Sequence, residues 1–180
     1  MRIEKNVFNN AITVEDVGDF DLIPDGSFVV PDDVQAIGWY AFCNCHYVKS
    51  VTIPDSITII GLGAFAGCWK LKSKPNNYKA FSLTKTGKLK CMNKTYTVGK
   101  KAMARGELKP CFNGIHYCTN LFDVFNYYYG EYGEDFVIGI CDVSDENIGG
   151  GLDSKRCARW VRPTKLLTRE EIIRIMNGED

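Results

Sequence analysis

The sequence predicts an α+β protein in which a short solenoid of stacked coils precedes a small unit of mixed α and β structure. Three observations lead to this prediction: a 23-residue repeat near the N-terminus, alternating apolar segments from residue 78, and a capped helix near residue 170. The chain has 180 residues, of which 45% are hydrophobic and 12% aromatic, which is ample to bury a core. We place the first unit at residues 1–75 and the second at 76–180.

The N-terminal unit is predicted from two near-copies of one segment, FVVPDDVQAIGWYAFCNCHYVKS at 28–50 and VTIPDSITIIGLGAFAGCWKLKS at 51–73. A period of roughly 20 to 29 residues is typical of a solenoid, because one coil cannot bury its own apolar face and stacks on the next. The two copies are identical at Pro31/Pro54, Asp32/Asp55, Ile37/Ile60, Gly38/Gly61, Ala41/Ala64, Phe42/Phe65, Cys45/Cys68, Lys49/Lys72 and Ser50/Ser73.

Each repeated position has a role in stacked coils. The segments FVV and VTI are predicted as short strands that pair in parallel, and the Pro-Asp step ends each strand because proline cannot donate to a ladder. Gly38 and Gly61 permit close approach of the backbone. Cys45 and Cys68 are predicted as small buried core residues, with a metal or redox role as the alternative.

The second copy, IPDSITIIGLGAFAGCWKL, resembles the BspA-type leucine-rich repeat, whose pattern runs approximately IPxSVTxIGxxAFxxCxxLxxV. The resemblance covers residues 28–73 and implies a right-handed ladder that serves as a recognition surface. Two coils need caps at their ends. We expect residues 1–27 to supply the first cap, with FDLIPDG as a partial coil, and KPNN at 74–77 to form the junction to the second unit.

The two copies differ at positions that stacking does not constrain, and these positions are predicted to point outward. An ordinary solvated face carries Lys, Glu or Ser, whereas exposed aromatic residues tend to mark an interface. The alternative is that Tyr47 and Trp69 pack against the second unit or the N-terminal cap. The predicted interaction surface consists of Trp39, Tyr40, His46, Tyr47, Trp69 and Lys70.

The second unit is predicted to contain three strands and two helices. The segments YKAFSL, KTYTVGK and EDFVIGICDV indicate strands. A helix is expected to begin at Asn120 and to end at Gly130. A capping box at Thr168 and Glu171 predicts a last helix, REEIIRIM, which ends at Asn177 and Gly178. The GGG segment at 149–151 is interpreted as a flexible turn and not as a dinucleotide loop.

The segment CFNGIHYCT at 111–119 contains Cys111, His116 and Cys118, which are weak candidates for a zinc site. Cys91, Cys141 or Cys157 could complete the ligand set, although no paired CxxC occurs. We favour the interpretation that IHYC is a strand whose alternate side chains face a core. A Cys-His nucleophile pair would lack a third group to orient it. We therefore predict no catalytic residue, no metal and no cofactor.

The charges of the chain balance, with 22 Lys and Arg against 22 Asp and Glu, so that no global field favours nucleic acid or membrane. They are nevertheless segregated. Residues 79–109 contain nine basic residues and one Glu, whereas residues 111–153 contain eight acidic residues and no Lys or Arg. We expect the two segments to pair with each other. Nucleic-acid binding through 79–109 is the alternative.

The start of the sequence, MRIEKNVFNNAITVED, lacks the apolar region of a signal peptide, and no run of 18 apolar residues occurs. We therefore expect no membrane association and a cytoplasmic location. The eight cysteines are expected to be reduced thiols there.

The second half resembles a domain of unknown function found mainly in bacteriophage and prophage genomes, with a pattern near Y-K-x-F…C…Y-x-V-G-K…C-x-x-G-x-H-x-C…D-V-x-x-Y-Y over about 78–167. The resemblance implies a phage-borne protein that acts on a host protein inside the cell. The matching residues are Tyr78, Lys79, Phe81, Cys91, Tyr96, Val98, Gly99, Lys100, Cys111, Gly114, His116, Cys118, Asp123, Val124, Tyr127 and Tyr128.

The favoured functional prediction is a protein-protein interaction module that binds, and could inhibit, a host defence protein. An enzyme is the second prediction, because the order of elements in the second half is loosely similar to that of ADP-ribosyltransferases, in which a split sheet holds NAD. No Arg…Ser-Thr-Ser…Glu set is legible in the sequence. Nucleic-acid binding is the third prediction, and self-association through the coils is also open.

Overall fold

Among the described residues, regular secondary structure is mostly β-strand, and helices are few. The computed structural model describes residues 3–5, 12–14, 26–109, 113–128, 130–149 and 153–179. Within these ranges the chain forms one α-helix, α1 (Arg169–Asn177), and one 3-10 helix (Leu121–Asn126). No helix among these residues is long and apolar enough to span a bilayer.

In the described ranges, six short strands precede residue 61 and ten follow residue 77. The first group is β1 (Ile3–Lys5), β2 (Ile12–Val14), β3 (Ser27–Val29), β4 (Ala36–Ile37), β5 (Ser50–Thr52) and β6 (Ile59–Ile60). The second group is β7 (Tyr78–Leu83), β8 (Leu89–Cys91), β9 (Lys94–Tyr96), β10 (Ala102–Met103), β11 (Ile115–Cys118), β12 (Gly130–Glu131), β13 (Phe136–Val143), β14 (Asn147–Gly149), β15 (Lys155–Ala158) and β16 (Trp160–Leu166).

The two sequence repeats stack on each other as parallel coils. Strands β3 and β5 pair in parallel with Phe28 opposite Val51, and β4 and β6 pair in parallel with Ile37 opposite Ile60. Both registers equal the 23-residue offset of the repeat, and β3 and β5 lie one residue before the predicted segments. Strand β2 extends the pattern, because its Thr13 lies opposite Ala36. The segment FDLIPDG lies almost wholly outside the described residues.

The inside of the coils is filled by equivalent residues of the two copies. The rings of Phe42 and Phe65 are stacked with centroids 5.3 Å apart. Cys45 and Cys68 are both buried and form no disulfide, as predicted for small core residues. Gly61 donates its backbone N–H to Ile37 O at 2.8 Å, and a Cβ at this position would lie 2.6 Å from the Gly38 carbonyl carbon. The close approach of the two coils therefore requires glycine here.

The C-terminal sheet is antiparallel, with the strand order β10-β16-β13-β7-β11-β15-β14. Strand β7 pairs with β13 from Tyr78 to Ser82, but it pairs with β11 only between Tyr78 and Cys118. Strand β11 instead pairs along its whole length with β15. The sheet is therefore split between β7 and β11 beyond their first residue pair.

Residues of the C-terminal half close the open edge of the second coil. Val30 N donates to Thr52 O at 3.0 Å, and at the equivalent position Ile53 N donates to the Asn177 side-chain oxygen at 2.7 Å. Asn177 Nδ2 in turn donates to Ile53 O at 3.1 Å. The amide of Asn177 thus replaces the strand of a third coil.

Two further contacts continue the pattern of the coils. The ring of Phe122 packs edge-on against Phe65, with centroids 5.1 Å apart, where a third coil would place its own phenylalanine. The buried amide of Asn120 accepts from Ser73 N at 2.9 Å and donates to Leu71 O at 3.1 Å. One hydrophobic cluster consequently includes residues from both sides of position 75. The division into units at 75/76 stays a prediction.

The predicted helix from Asn120 to Gly130 is wrong in type and length, because the structure has a 3-10 helix over Leu121–Asn126. The side chain of Asn120 does not cap this helix, since it binds the last coil instead. The last helix is confirmed. Thr168 and Glu171 form the predicted capping box, and the helix ends at Gly178. Strands YKAFSL and EDFVIGICDV correspond to β7 and β13, and KTYTVGK contains β9.

The two oppositely charged segments pair through their backbones, because β7 lies beside β13. The expected pairing between the side chains of the two segments is not found at two acidic residues. Glu146 binds Arg159 at 2.7 Å, and Asp142 binds Arg162, so both acids pair with arginines that follow residue 153.

Replacement of Cys68 tests the stacking of the coils. Cys68 lies in the core, its thiol donates to Phe42 O at 2.8 Å, and burial raises the pKa of the thiol to about 12. We expect Cys68→Ala to cost about 1 kcal/mol and Cys68→Asp to unfold the coils, because a buried carboxylate would lack a partner. Urea unfolding measures both. Cys43→Asp, at a half-buried position, is the control and should be tolerated. Wild-type stability of the Cys68→Asp variant would contradict the stacking.

Replacement of Asn120 tests the closure of the second coil. Asn120→Ala leaves Ser73 N and Leu71 O buried without their partner, and we expect it to lower the free energy of unfolding by about 2 kcal/mol or more. Asn147 is the matched control, because its amide also makes two hydrogen bonds to the backbone but is only half-buried. Chemical denaturation of the two alanine variants should separate them, and equal losses would argue against the closing role.

Candidate functional site

The residues predicted to form an interaction surface are largely exposed. Trp39 is 65% exposed, Tyr40 55%, Tyr47 61% and Trp69 59%. Lys70 is also exposed, and His46 is half-buried. Tyr47 and Trp69 therefore keep most of their ring surface accessible beside the C-terminal half. Their role in binding stays a prediction.

Glycines of the second coil leave space that aromatic rings of the first coil occupy. The indole of Trp39 lies over Gly61, where a Cβ would approach its Cδ1 atom to 2.6 Å. The ring of Tyr40 covers Gly63 in the same way. In the second copy Leu62 and Gly63 replace this Trp-Tyr pair. The differences between the copies thus fit large rings of one coil onto glycines of the next.

The other aromatic residues of the surface are held by neighbouring side chains. His46 stacks on Trp69 with centroids 4.2 Å apart, and His46 Nδ1 lies 2.9 Å from Gly67 O. The ammonium of Lys70 lies 5.5 Å from the ring centre of Tyr47. These contacts fix the rings before any partner binds, which lowers the entropic cost of binding.

The weak zinc candidates fall on and near β11. Cys111 lies outside the described residues. His116 is half-buried and Cys118 buried, and burial raises the pKa of the Cys118 thiol, so that the thiolate that binds metals is disfavoured. Among the described residues no three His, Cys, Asp or Glu side chains form a metal-binding group. The prediction that IHYC forms a strand is confirmed by β11. Ile115 and Tyr117 face one core cluster as expected, but the adjacent Cys118 is also buried, in the other cluster, so that burial does not alternate along the whole strand.

The split between β7 and β11 opens into a cavity of about 410 Å³ that sequence reasoning did not identify. Its described lining contains three lysines, one histidine and five tyrosines, and it contains no Asp or Glu. The titratable lining residues are Lys79, Lys94, Lys155, His116, Cys91, Cys118, Tyr78, Tyr96, Tyr117, Tyr127 and Tyr128.

Lys79 is the one charged side chain that is buried among the described residues, with 4% of its surface exposed. Its ammonium donates to His116 O at 2.8 Å and to Cys91 Sγ at 3.3 Å. It also lies 5.5 Å from the ring centre of Tyr96 and 5.6 Å from that of Phe81. Neutral groups and ring faces thus surround this cation within the cavity wall.

A chain of polar contacts continues along the wall. Cys91 Sγ lies 2.7 Å from the hydroxyl of Tyr128, and burial raises the pKa of Tyr128. At the other side the ammonium of Lys155 lies 4.0 Å from the ring centre of Tyr127, whose hydroxyl binds Asp153. Burial also raises the pKa of Tyr127. The tyrosines are therefore neutral at physiological pH.

The pKa of His116 reflects burial and the positive charges near the cavity. Burial lowers the pKa of its imidazole, and the charges of Lys155 and Lys79 lower that pKa further. The ring is therefore neutral at physiological pH. A neutral imidazole offers one donor and one acceptor nitrogen.

Two known families match the chain. The BspA type leucine-rich repeat region (6 copies) matches residues 24–113, and the domain of unknown function DUF7666 matches residues 76–175. The chain belongs to both families. The repeat match runs past the coils into β7 to β10, which pair antiparallel and not in parallel. No curated protein and no solved structure shows significant similarity to the chain.

The lowered pKa of His116 predicts a dependence of stability on pH. Because the imidazole binds a proton more weakly in the folded chain than in the unfolded chain, its contribution is complete above its ordinary pKa of 6.5 and is lost as the pH falls below that value. Urea unfolding at about pH 7.5 and about pH 5.5 measures the difference. We expect His116→Gln to reduce the difference in unfolding free energy between the two pH values. His46→Gln should leave the contribution of His116 to that difference unchanged. An unchanged difference in His116→Gln would refute this.

Proposed function

We propose that the chain is a protein-protein interaction module whose stacked coils present Trp39, Tyr40, His46, Tyr47, Trp69 and Lys70 to a protein partner. The observation that supports this most directly is the exposure of four large aromatic side chains at positions where the two copies of the repeat differ. Tryptophan and tyrosine are enriched among the residues that contribute most to protein interfaces. Membership in the leucine-rich repeat family also suggests a protein partner.

The arrangement of the rings supports binding through two groups of residues. Trp39 and Tyr40 form the first group, and each rests on a glycine of the second coil. His46 and Trp69 stack in the second group, with Tyr47 beneath Lys70. Rings that are already ordered lose little freedom when a partner covers them. Exposed aromatic rings that cost little to immobilise are well suited to anchor a partner.

The two coils act in this proposal as a short solenoid, and the C-terminal half is a mixed α and β unit that closes it. The partner is a host protein, and inhibition of a host defence component is the proposed consequence. The resemblance to a domain found mainly in phage and prophage genomes supports this context. No disulfide joins any of the seven described cysteines, which supports a reducing, cytoplasmic setting. Self-association is an alternative use of the same surface.

The other two functions have weaker support. An NAD-binding enzyme of the ADP-ribosyltransferase type would use an acidic catalytic residue, and the described lining of the cavity offers none. Nucleic-acid binding through 79–109 would use the exposed basic residues of this segment, but the segment contains few aromatic residues and its Lys79 is buried. Both functions stay predictions, ranked after the interaction function.

The proposal is tested by identifying a partner and then measuring its affinity. A photo-crosslinking amino acid in place of Tyr47 captures proteins from bacterial lysate, and mass spectrometry identifies them. The dissociation constant of the purified partner is then measured for the wild type, Trp39→Ala and Trp69→Ala. We expect at least about tenfold weaker binding, the roughly 1.4 kcal/mol of a modest anchor residue. The melting temperature should change little, because both rings are mostly solvated.

Met103→Ala provides the matched control. Met103 is 51% exposed on β10, so that this variant removes an exposed apolar side chain outside the coils. It should bind the partner as the wild type does. If Trp39→Ala and Trp69→Ala melt early and bind normally, the rings stabilise the fold and the binding face lies elsewhere. If the captured protein is the chain itself, the surface mediates self-association.

A further inference from the structure

The buried ammonium of Lys79 lacks a compensating negative charge among the described residues. An ammonium has three N–H donors, and two of them are used by His116 O and Cys91 Sγ. No described carboxylate lies within 4.0 Å of its nitrogen, and the side chain is 4% exposed. Burial of a charge is costly unless an opposite charge and hydrogen bonds compensate it. The site is therefore incomplete without a counter-charge.

The cavity places this cation where an anion could reach it. Both hydrogen-bond partners of the ammonium, Cys91 and His116, belong to the cavity wall. Lys94 and Lys155 add two further positive charges to the same lining, and no described lining residue is acidic. The charges of Lys155 and Lys79 both act on His116. The charges of Asp123 and Asp153 act instead on Cys118 and Tyr127. The part of the cavity around Lys79 and His116 therefore favours an anion.

The rest of the lining suits a flat ring. Tyrosines from β7, β9, β11 and the segment after the 3-10 helix surround the cavity, and aromatic faces stack on planar ligands. A volume of about 410 Å³ falls in the range of small-molecule sites, roughly 300 to 1,000 Å³. We propose that the cavity between β7 and β11 binds a small organic anion that carries a flat ring, with the anionic group at Lys79 and the ring among the tyrosines.

The proposal is tested with two pairs of compounds that differ in their charged group. Adenosine monophosphate is compared with adenosine, and 4-hydroxybenzoate with 4-hydroxybenzamide, by calorimetry. We expect at least one anion to bind, and to bind at least about tenfold more tightly than its neutral counterpart. Lys79→Met should abolish this preference. Lys85→Met, which removes an exposed lysine of the β7-β8 turn, should retain it.

Two further measurements complement the affinities. Lys79→Met should melt at the same temperature as the ligand-free wild type or higher, since a buried cation without a counter-charge is replaced by an apolar side chain of similar length. The chain has two histidines, so that their NMR signals are readily distinguished. A bound anion should raise the pKa of His116, and this measurement uses the wild-type chain.

The proposal is overturned by any of three results. The first is that neither anion binds, or that anion and neutral compound bind equally. The second is that Lys79→Met keeps the preference for the anion. The third is a thiolate absorbance near 240 nm at neutral pH that disappears in Cys91→Ser, because the thiolate would then supply the missing charge. None of these results tests the interaction surface on the coils. Each of the two proposals can therefore be refuted without affecting the other.

Discussion

The fold depends on closing the open edge of the second coil. Parallel coils leave backbone N–H and C=O groups unpaired at the last copy, and buried groups of this kind are destabilising unless they are satisfied. Here the amides of Asn120 and Asn177 and the carbonyl of Phe125 occupy the places that a third coil would fill. Phe122 completes the apolar stack in the same way. The C-terminal half is therefore a structural cap as well as a domain.

The same closure shapes the cavity. The buried ring of Tyr78 belongs to the core that is shared with the coils, and there β7 pairs with Cys118 of β11. Beyond this pair β7 follows β13 and β11 follows β15. The two strands consequently separate, and the side chain of Lys79 reaches across the gap to His116 O. A cavity lined by lysines and tyrosines arises at the point where the sheet divides.

The sequence alone was sufficient to predict the structure wherever a pattern was local or repeated. The 23-residue period predicts the parallel register, the burial of Cys45 and Cys68 and the outward position of Trp39, and the capping box predicts α1. The sequence alone did not predict the structure where a side chain contacts residues that are distant in the sequence. Asn120 looks like a helix cap, but its amide binds residues 47 and 49 positions earlier. Lys79 lies in a predicted strand and in the basic segment, but its side chain is buried because its ammonium reaches across to β11 and binds His116 O.

The hydrogen bonds between Asn177 and Ile53 join residues 124 positions apart. The edge of the second coil therefore cannot be closed in this way until residue 177 has been synthesised. The coils leave the ribosome first, yet their last edge stays open until α1 has been made. At roughly 5 to 20 residues per second, the delay after residue 73 lasts about 5 to 20 seconds. During this interval the nascent chain exposes an unpaired edge that could pair with another chain. Release of the last turn of α1 therefore ends the period in which the newborn protein is most prone to aggregate.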